Sequence, residues 1–395
     1  MWQFRYNRSH ERGSHERVRT MTATLILAGL SATCLLFFLY PYLLYPLALR
    51  LMGKRPIHAA PADLSVSLLF CAYNEIDCLQ RKIENLRELK SRTPSLEILA
   101  YDDGSTDGSH ELLASVPDLL TTIRGPGRTG KAAGMKRLVQ FARSDVLLFT
   151  DADVLIEPDA IAQLLPYYGD REVGGVCCSV KMLSEVPSAT SRTGSSYWAW
   201  DDRIKQLESE TGNVMGASGA MFSVRRDLYP EFPDTVQDDF TVSMSVIFQG
   251  RRLVKAPDVV ASTTGVSESG DELRRKIRIG SRAYHTHCFL RAQIKQMSIR
   301  DRFKYVSHKL LRWFGGLFFA LGSLFGLAAV ASLSLQAAVL MLLLAFIAVA
   351  ISIRVNDGHF GKAGQIGLAT FATQFGVLQG MRGRTVATWA RANSR

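Results

Sequence analysis

Apolar positions crowd the two ends of the chain and thin out between them. Residues 23 to 49, ATLILAGLSATCLLFFLYPYLLYPLAL, carry no charge. About 20 apolar residues suffice to cross a bilayer, and this run is too long for the apolar core of a signal peptide, with no A-x-A site close behind it. It reads as a retained anchor. Residues 314 to 353 are again uncharged, enough for two spans with a tight turn near Ser332 to Gln336. Residues 363 to 381 are interrupted by Gln365, Gln374 and Gln379. They read as a third span facing other helices, the alternative being an amphipathic helix.

Between residues 60 and about 265 the pattern changes to short apolar runs alternating with amphipathic ones. SVSLLFC (65 to 71) reads as a strand and Glu75 to Lys90 as a helix. LEILAYDD is a strand ending in acids, GKAAGMKRLVQFARS a helix, and DVLLFTDAD a second strand ending in acids. This alternation predicts an α/β domain with a parallel sheet and helices on both faces. Ligands of such sheets bind beyond the carboxyl ends of the strands, where Asp102, Asp103, Asp151 and Asp153 fall.

Composition matters through its position. The chain of 395 residues has a formal net charge of +11, which could suit nucleic acid, an anionic membrane surface or anionic substrates. Twelve Lys or Arg and one acid, Asp301, lie between Leu273 and Trp313, directly before an apolar run. That placement fits the anionic inner leaflet and not nucleic acid. Leu273, Ile277, Gly280, Tyr284 and Cys288 share one helical face there, as in a helix lying on a membrane. Arginines precede the first span (Arg5, Arg8, Arg12, Arg17, Arg19) and basic residues follow it, so charge alone does not orient the chain. No two of the six cysteines form a C-x-x-C pair; they read as free, buried thiols, not metal ligands.

The candidate chemistry lies at the strand ends. In Asp151-Ala152-Asp153, residues two apart on an extended segment point the same way. Adjacent carboxylates repel unless a cation lies between them, and hard oxygens favour Mg2+ or Mn2+, with a diphosphate completing the shell. A plain acidic turn is the alternative. Asp102 to Gly108 (DDGSTDG) can turn sharply beside a ligand, with Ser105 or Thr106 available as a helix cap. Gly127-Arg128-Thr129-Gly130-Lys131 precedes a helix and suits phosphate oxygens, although Ala132 breaks the P-loop pattern. Asp238 and Asp239 read equally as a helix N-terminal acid pair. Tyr197, Trp198 and Trp200 are read as preceding a helical stretch to Glu208 and suit either sugar stacking or packing, and His285, His287 and His308 read as interfacial.

In order, the motifs are YNE (Tyr73 to Glu75), DDGSTD (Asp102 to Asp107), Gly130-Lys131, DAD (Asp151 to Asp153), GASGAMFSVRR (Gly216 to Arg226) and QDD (Gln237 to Asp239). This set resembles inverting glycosyltransferase family 2 over roughly residues 64 to 312. The resemblance implies a GT-A fold, a Rossmann-like mixed sheet with helices on both faces, plus transmembrane helices. It implies a nucleotide-sugar donor, most simply a UDP-sugar, and a lipid-linked or glycan acceptor. Tyr73, Glu75, Asp102 and Asp103 would lie around the nucleoside and Lys131 on the diphosphate. Asp151 would lie beside donor sugar and diphosphate, and Asp153 would be the main metal ligand. Asp239, helped by Asp238, would be the general base, and Gly219 would belong to the loop beneath the acceptor. Arg275 and Arg278 would reach a diphosphate of donor or lipid carrier. Processive members carry Q-x-x-R-W after the base; here Arg274 to Gly280 keeps Arg278 but has neither Gln nor Trp, which favours addition of one or few sugars. Lys136 stands where Asn is common, so a donor contact there is not expected. The division that follows is a basic tail (1–22), an anchor (23–51), a catalytic domain (60–265), basic interface helices (266–312), membrane helices (314–381) and a basic tail (382–395). Partners expected are the inner-membrane lipids, with the catalytic domain in the cytoplasm.

Overall fold

The computed structural model describes residues 2–183, 189–264, 269–354 and 358–385. Strands β1 (Val66–Ala72), β2 (Glu97–Asp102), β3 (Thr121–Arg124), β4 (Val146–Asp151), β5 (Leu155–Ile156), β6 (Val173–Leu183), β7 (Met221–Arg225) and β8 (Arg252–Thr264) form one sheet, ordered β3-β2-β1-β4-β7-β6-β8-β5. Helices are α1 (Trp2–Leu51), α2 (Ile76–Arg92), α3 (Ser109–Ala114), α4 (Lys131–Phe141), α5 (Ala160–Leu164), α6 (Ala189–Glu210), α7 (Asp238–Phe248), α8 (Ser269–Gln296), α9 (Ile299–Tyr305), α10 (Leu311–Trp313), α11 (Gly315–Leu333), α12 (Leu335–Arg354) and α13 (Gly358–Met381).

Alternation along the strands divides the core into two layers. Leu68, Phe70, Ile98 and Leu148 meet Leu79, Leu86 and Leu89 of α2 on one face. Leu69, Leu99, Leu147 and Phe149 meet Met135 and Leu138 of α4 and Val242 and Val246 of α7 on the other. Helices therefore cover both faces, as the alternation predicts. The sheet is mixed, not parallel throughout. β1 to β4 pair in parallel, but β7 inserts antiparallel between β4 and β6, and β5 pairs antiparallel with β8. The reversal has a consequence: β7 starts at the carboxyl end of β4, with Met221 opposite Thr150. The Gly216–Gly219 loop just before it is thereby delivered to the acidic rim.

α1 continues without a break through the basic segment and the apolar run, with Pro41 and Pro46 inside it. Among the described residues, Arg17–Leu51 and Gly315–Leu333 are long and apolar enough to cross a membrane, and Leu335–Val349 is a shorter apolar stretch. Their apolar side chains face outward: Leu25 is 65% and Phe346 73% exposed, unlike a buried core helix. α11 lies along α1, with Phe37 stacked on Phe318 (5.4 Å), Ser31 donating to the Gly322 carbonyl (2.7 Å) and Thr24 hydrogen-bonded to Ser332 (2.6 Å). The chain turns at Ser334, within the predicted interval. α13 packs on α8 backbone to backbone: a β-carbon on Gly376 would sit 2.2 Å from the Ile277 carbonyl oxygen, one on Gly280 2.6 Å from that of Thr373. Small residues permit such approach.

Two expectations change. Trp198 and Trp200 lie inside α6, not before it, and Trp200 packs on Tyr42 of α1 (5.1 Å) beneath Arg312 (5.1 Å); it serves packing. The side chain of Tyr197 lies outside the described residues. All six cysteines are free, but only Cys177 and Cys178 are buried, and Cys288 is exposed.

Candidate active site

β1 lies between β2 and β4, so the order of strands reverses beside it, the place where open α/β sheets bind ligands. Register sets Ala72 beside Asp102 and Cys71 beside Asp151. Burial pushes the Cys71 thiol up, and that thiol feels Lys131, Asp238, Asp103 and Asp151 together. Four charges from four segments thus surround one strand end.

On one side, two loops are laced to each other. Asn74, at φ 52, receives a hydrogen bond from the Thr106 N–H (2.9 Å), and its own N–H donates to Ser105 Oγ (3.0 Å). Glu75 N–H donates to Ser109 Oγ (2.9 Å) and Ile76 N–H to Asp107 (3.1 Å). Ser105 therefore ties loops and does not cap α3, whose N-cap is Gly108. The Glu75 carboxylate accepts from the Cys78 thiol at 3.3 Å. Asp102 is fully buried beside His110 (3.6 Å) and Arg124 (3.9 Å). Asp103, 4% exposed, accepts from Thr129 N–H (2.7 Å), Thr129 Oγ1 (2.8 Å) and Gly130 N–H (2.8 Å). It fixes the glycine loop that opens α4. Arg128 of that loop lies over the Tyr73 ring at 3.6 Å.

On the other side the contacts are between charges. Lys131 at the head of α4 donates to Asp151 Oδ1 (2.5 Å) and toward the Gly219 carbonyl (3.4 Å). Burial opposes its charge, but Asp151, Asp238 and Asp239 outweigh it and hold the ammonium above the ordinary lysine range. Asp238 and Asp239 open α7 behind Gln237 as N-cap, so they form the acid pair expected in a first helical turn. Asp239 accepts from Phe240 N–H (2.8 Å). Burial and Asp238 push its carboxyl above the usual range, while Lys131, the Phe240 N–H and Arg282 oppose them. A β-carbon on Gly219 would fall 2.7 Å from Asp239 Oδ2, so the loop can lie against Asp239 only as glycine.

β4 ends at Asp151 and the chain turns, with Val154 N–H on the Asp151 carbonyl (3.3 Å). The turn gives the two carboxylates different partners: Asp151 faces Lys131, and Asp153 accepts from Thr263 Oγ1 of β8 (3.2 Å). Among the described residues no three Asp, Glu, His or Cys side chains form a closed metal cage. Mg2+ usually takes one or two carboxylates and completes its shell with substrate phosphates and water. Asp151 and Asp153 offer carboxylate oxygens of the kind such an ion takes.

Several contributors escape a sequence reading. Lys82 of α2 is fully buried and donates to the Val154 carbonyl (2.6 Å). Asn85, one turn on, makes two bonds with Ile156, Nδ2 to its carbonyl (2.7 Å) and Oδ1 from its N–H (2.9 Å). Together they clamp the chain behind Asp153. A lysine on the stripe formed by Leu79, Ile83 and Leu86 was the available signal. Arg282 is the α8 arginine near Asp239, bonding the Val236 carbonyl at 2.6 Å. Arg275 instead grips Glu272 through two nitrogens (2.7 and 3.0 Å), and Arg278 sits partly buried further along α8. Lys136 is tied to Asp234 (2.5 Å) and the Phe232 carbonyl (3.0 Å). His308 is buried between Glu208 and Asp201, while His285 meets Thr235 and His287 meets Tyr305.

Residues 67–232 match the family model Glycosyl transferase family 2. A beta-monoglucosyldiacylglycerol synthase of Synechocystis sp. is 25% identical over 181 residues, 42% of this chain and 38% of that protein. A poly-beta-1,6-N-acetyl-D-glucosamine synthase of Staphylococcus aureus is 23% identical over 219 residues, 52% of this chain and 51% of that protein. The chain thus spans about half or less of these curated relatives. A mannosyltransferase from Pyrobaculum calidifontis, in complex with GDP-Man and Mn2+, has the same fold: TM-score 0.69 at 22% identity, covering 91% of this chain and 99% of that one.

Proposed function

We propose that this chain, whose residues 67–232 match the Glycosyl transferase family 2 model and whose fold is that of a mannosyltransferase, is a membrane-anchored inverting glycosyltransferase. It moves a sugar from a nucleotide-sugar, first of all a UDP-sugar, to a lipid-linked or glycan acceptor in envelope or exopolysaccharide synthesis. Its catalytic domain faces the cytoplasm of a multi-pass inner-membrane protein. The observation that carries the reading is the convergence of Lys131, Asp151 and Asp239 on the Gly219 loop.

Each residue then has a task. Tyr73 with Arg128 and the loop held by Asp103 bound the nucleoside, with Glu75 and Asp102 behind it. Lys131 neutralises charge that develops on the leaving diphosphate, and its fixed place costs no reorganisation as the bond breaks. Asp239, with a carboxyl above the usual range beside Asp238, is a stronger base than an ordinary aspartate and takes the proton of the acceptor hydroxyl. Attack from that side, opposite the diphosphate, inverts the anomeric carbon. Asp151 and Asp153 would hold Mg2+ or Mn2+, which supplies further charge neutralisation at the diphosphate.

Membranes containing the protein, screened with radiolabelled nucleotide-sugars plus Mn2+, Mg2+ or chelator, should incorporate label with one donor and lose incorporation on chelation. No incorporation from any donor would overturn the reading. The S. aureus relative favours a second one, a processive synthase that also exports its glycan. A sizing gel separates them: one or few sugars per acceptor is expected, and long polymer would select the synthase.

A further inference from the structure

The domain face nearest α10 and α11 carries charges that sugar transfer leaves unused. Asp201 of α6 is shared by Lys205 (2.9 Å), Arg312 (2.9 Å) and the His308 ring (3.3 Å). Glu208, fully buried, accepts from Tyr45 of α1 (2.5 Å) and meets the other His308 nitrogen (2.8 Å). Both acids are engaged. Beside His308, the Lys309 side chain makes no hydrogen bond and no ion pair among the described residues; its ammonium lies 5.7 Å from the Phe240 ring. Its stem lies against the Gly216 loop, 3.8 Å from where a Gly216 β-carbon would be. Phe240 follows Asp239, and the other end of the same loop touches Asp239. Lys309 and the proposed base therefore flank opposite ends of one loop.

A cation withdrawn from water without a counter-ion is costly, and an aromatic face returns about 1 kcal/mol of it. Burial drives Lys309 down to about 8, with Asp201 opposing. Lys276 of α8 is also driven to about 8 by burial and by Arg275, and it shares Glu272 (3.6 Å) with Arg275. Lys276 and Lys309 both feel Arg312. Residues 306–310, which present His308 to the acids and Lys309 to the loop, form a π turn, a distortion enriched at functional sites. The apolar helix starts at Gly315, so Lys309 and Arg312 sit at its head, where the end of a membrane span meets lipid phosphates.

We propose that Lys309, with Lys276 and Arg312, forms a seat for a phosphate ester carried by a membrane-borne molecule, placed to hold the acceptor beside Asp239. The assignment of that molecule as the acceptor rests on the transferase reading; the seat itself does not.

The test uses the full chain in phosphatidylcholine nanodiscs, reductively methylated near pH 8, with labelling of Lys309 read by mass spectrometry. Three probes are added separately: phosphatidylglycerol in the disc, a polyprenyl phosphate in the disc, and inorganic phosphate in solution. Protection of Lys309 is expected. Phosphatidylglycerol protecting would make bulk headgroup the source and polyprenyl phosphate alone a lipid-linked acceptor, whereas protection by inorganic phosphate alone would overturn the membrane-borne assignment. Lys309→Met should weaken retention of the protecting probe about tenfold, the effect of one charged hydrogen bond, and Lys309→Arg should restore most of it. No protection by any probe, or unchanged retention in a stably folded Lys309→Met, overturns the proposal. Protection without consumption of any nucleotide-sugar would leave the seat standing and remove the transferase reading. Transfer with Lys309 unprotected would do the reverse.

Discussion

Asp103 and Asp239 occupy the same rim of one sheet and are held in opposite ways. Asp103 spends its oxygens on three donors of the glycine loop. Asp239 has a single backbone donor, a like charge beside it and a lysine nearby. A carboxylate whose oxygens accept three hydrogen bonds has given its lone pairs to the fold. One crowded by another carboxylate keeps its appetite for a proton. The half of the rim around Asp103 is thus built for shape, and the half at the head of α7 holds the more reactive carboxylate.

Asp239→Asn should separate the two halves most widely. Turnover is expected to fall about a thousandfold, the scale of a lost general base, while donor affinity by titration calorimetry stays within about twofold. Lost donor binding with turnover of the bound fraction intact would place Asp239 in the shape-holding half instead. Lys131→Met should lower kcat about a hundredfold through the leaving diphosphate. It also removes the cation that restrains Asp239, so the carboxyl climbs further. The base works deprotonated, so the acid limb of the kcat/KM profile should move to higher pH. A limb that stays in place would mean that the two residues do not sense each other.

How far this contrast was legible in the sequence depends on the element. The strand ends Asp102, Asp151 and the α7 start at Asp238 follow from apolar runs ending in acids, and the structure has them there. The antiparallel entry of β7 was not legible in local pattern, because Met221–Arg225 reads alike in either direction and only its partners β4 and β6 decide. The same holds for Asp151 and Asp153. Period-two spacing predicts one shared face, but the turn after Asp151 sends one to α4 and the other toward β8. Arg275 and Arg282 are seven residues apart on α8 and indistinguishable by composition. Residues seven apart share a helix face, so which reaches Asp239 depends on the axial position of α8, set by the glycines that seat it on α13.

Asp103→Ala probes the shape-holding half directly. It strands three donors of the loop, two of them backbone, at a residue 4% exposed. A loss of about 3 kcal/mol in unfolding free energy is expected, with Asp103→Asn recovering part of it. Donor KM should rise more than kcat falls, since the loop and not the base is disturbed. A pure kcat effect would erase the distinction between the two acids.

Lys82 sets the smallest and sharpest contrast, because it belongs to both designs. Its bond to the Val154 carbonyl is a matter of shape, and its charge faces Asp153 and Asp151 while burial pulls it down to about 8. In Lys82→Met the two effects oppose each other. Loss of the bond loosens the chain behind Asp153, but Asn85 still holds Ile156 through two bonds, so the position should survive. Loss of the charge removes a cation that competes with a divalent ion for the same carboxylates, a difference worth roughly 1 kcal/mol for a partly screened pair. Mn2+ should therefore bind severalfold more tightly, read by electron paramagnetic resonance without nucleotide. Weaker binding in Lys82→Met, alongside no change in Asn85→Ala, would show that the lysine bond carries the clamp and that charge is secondary.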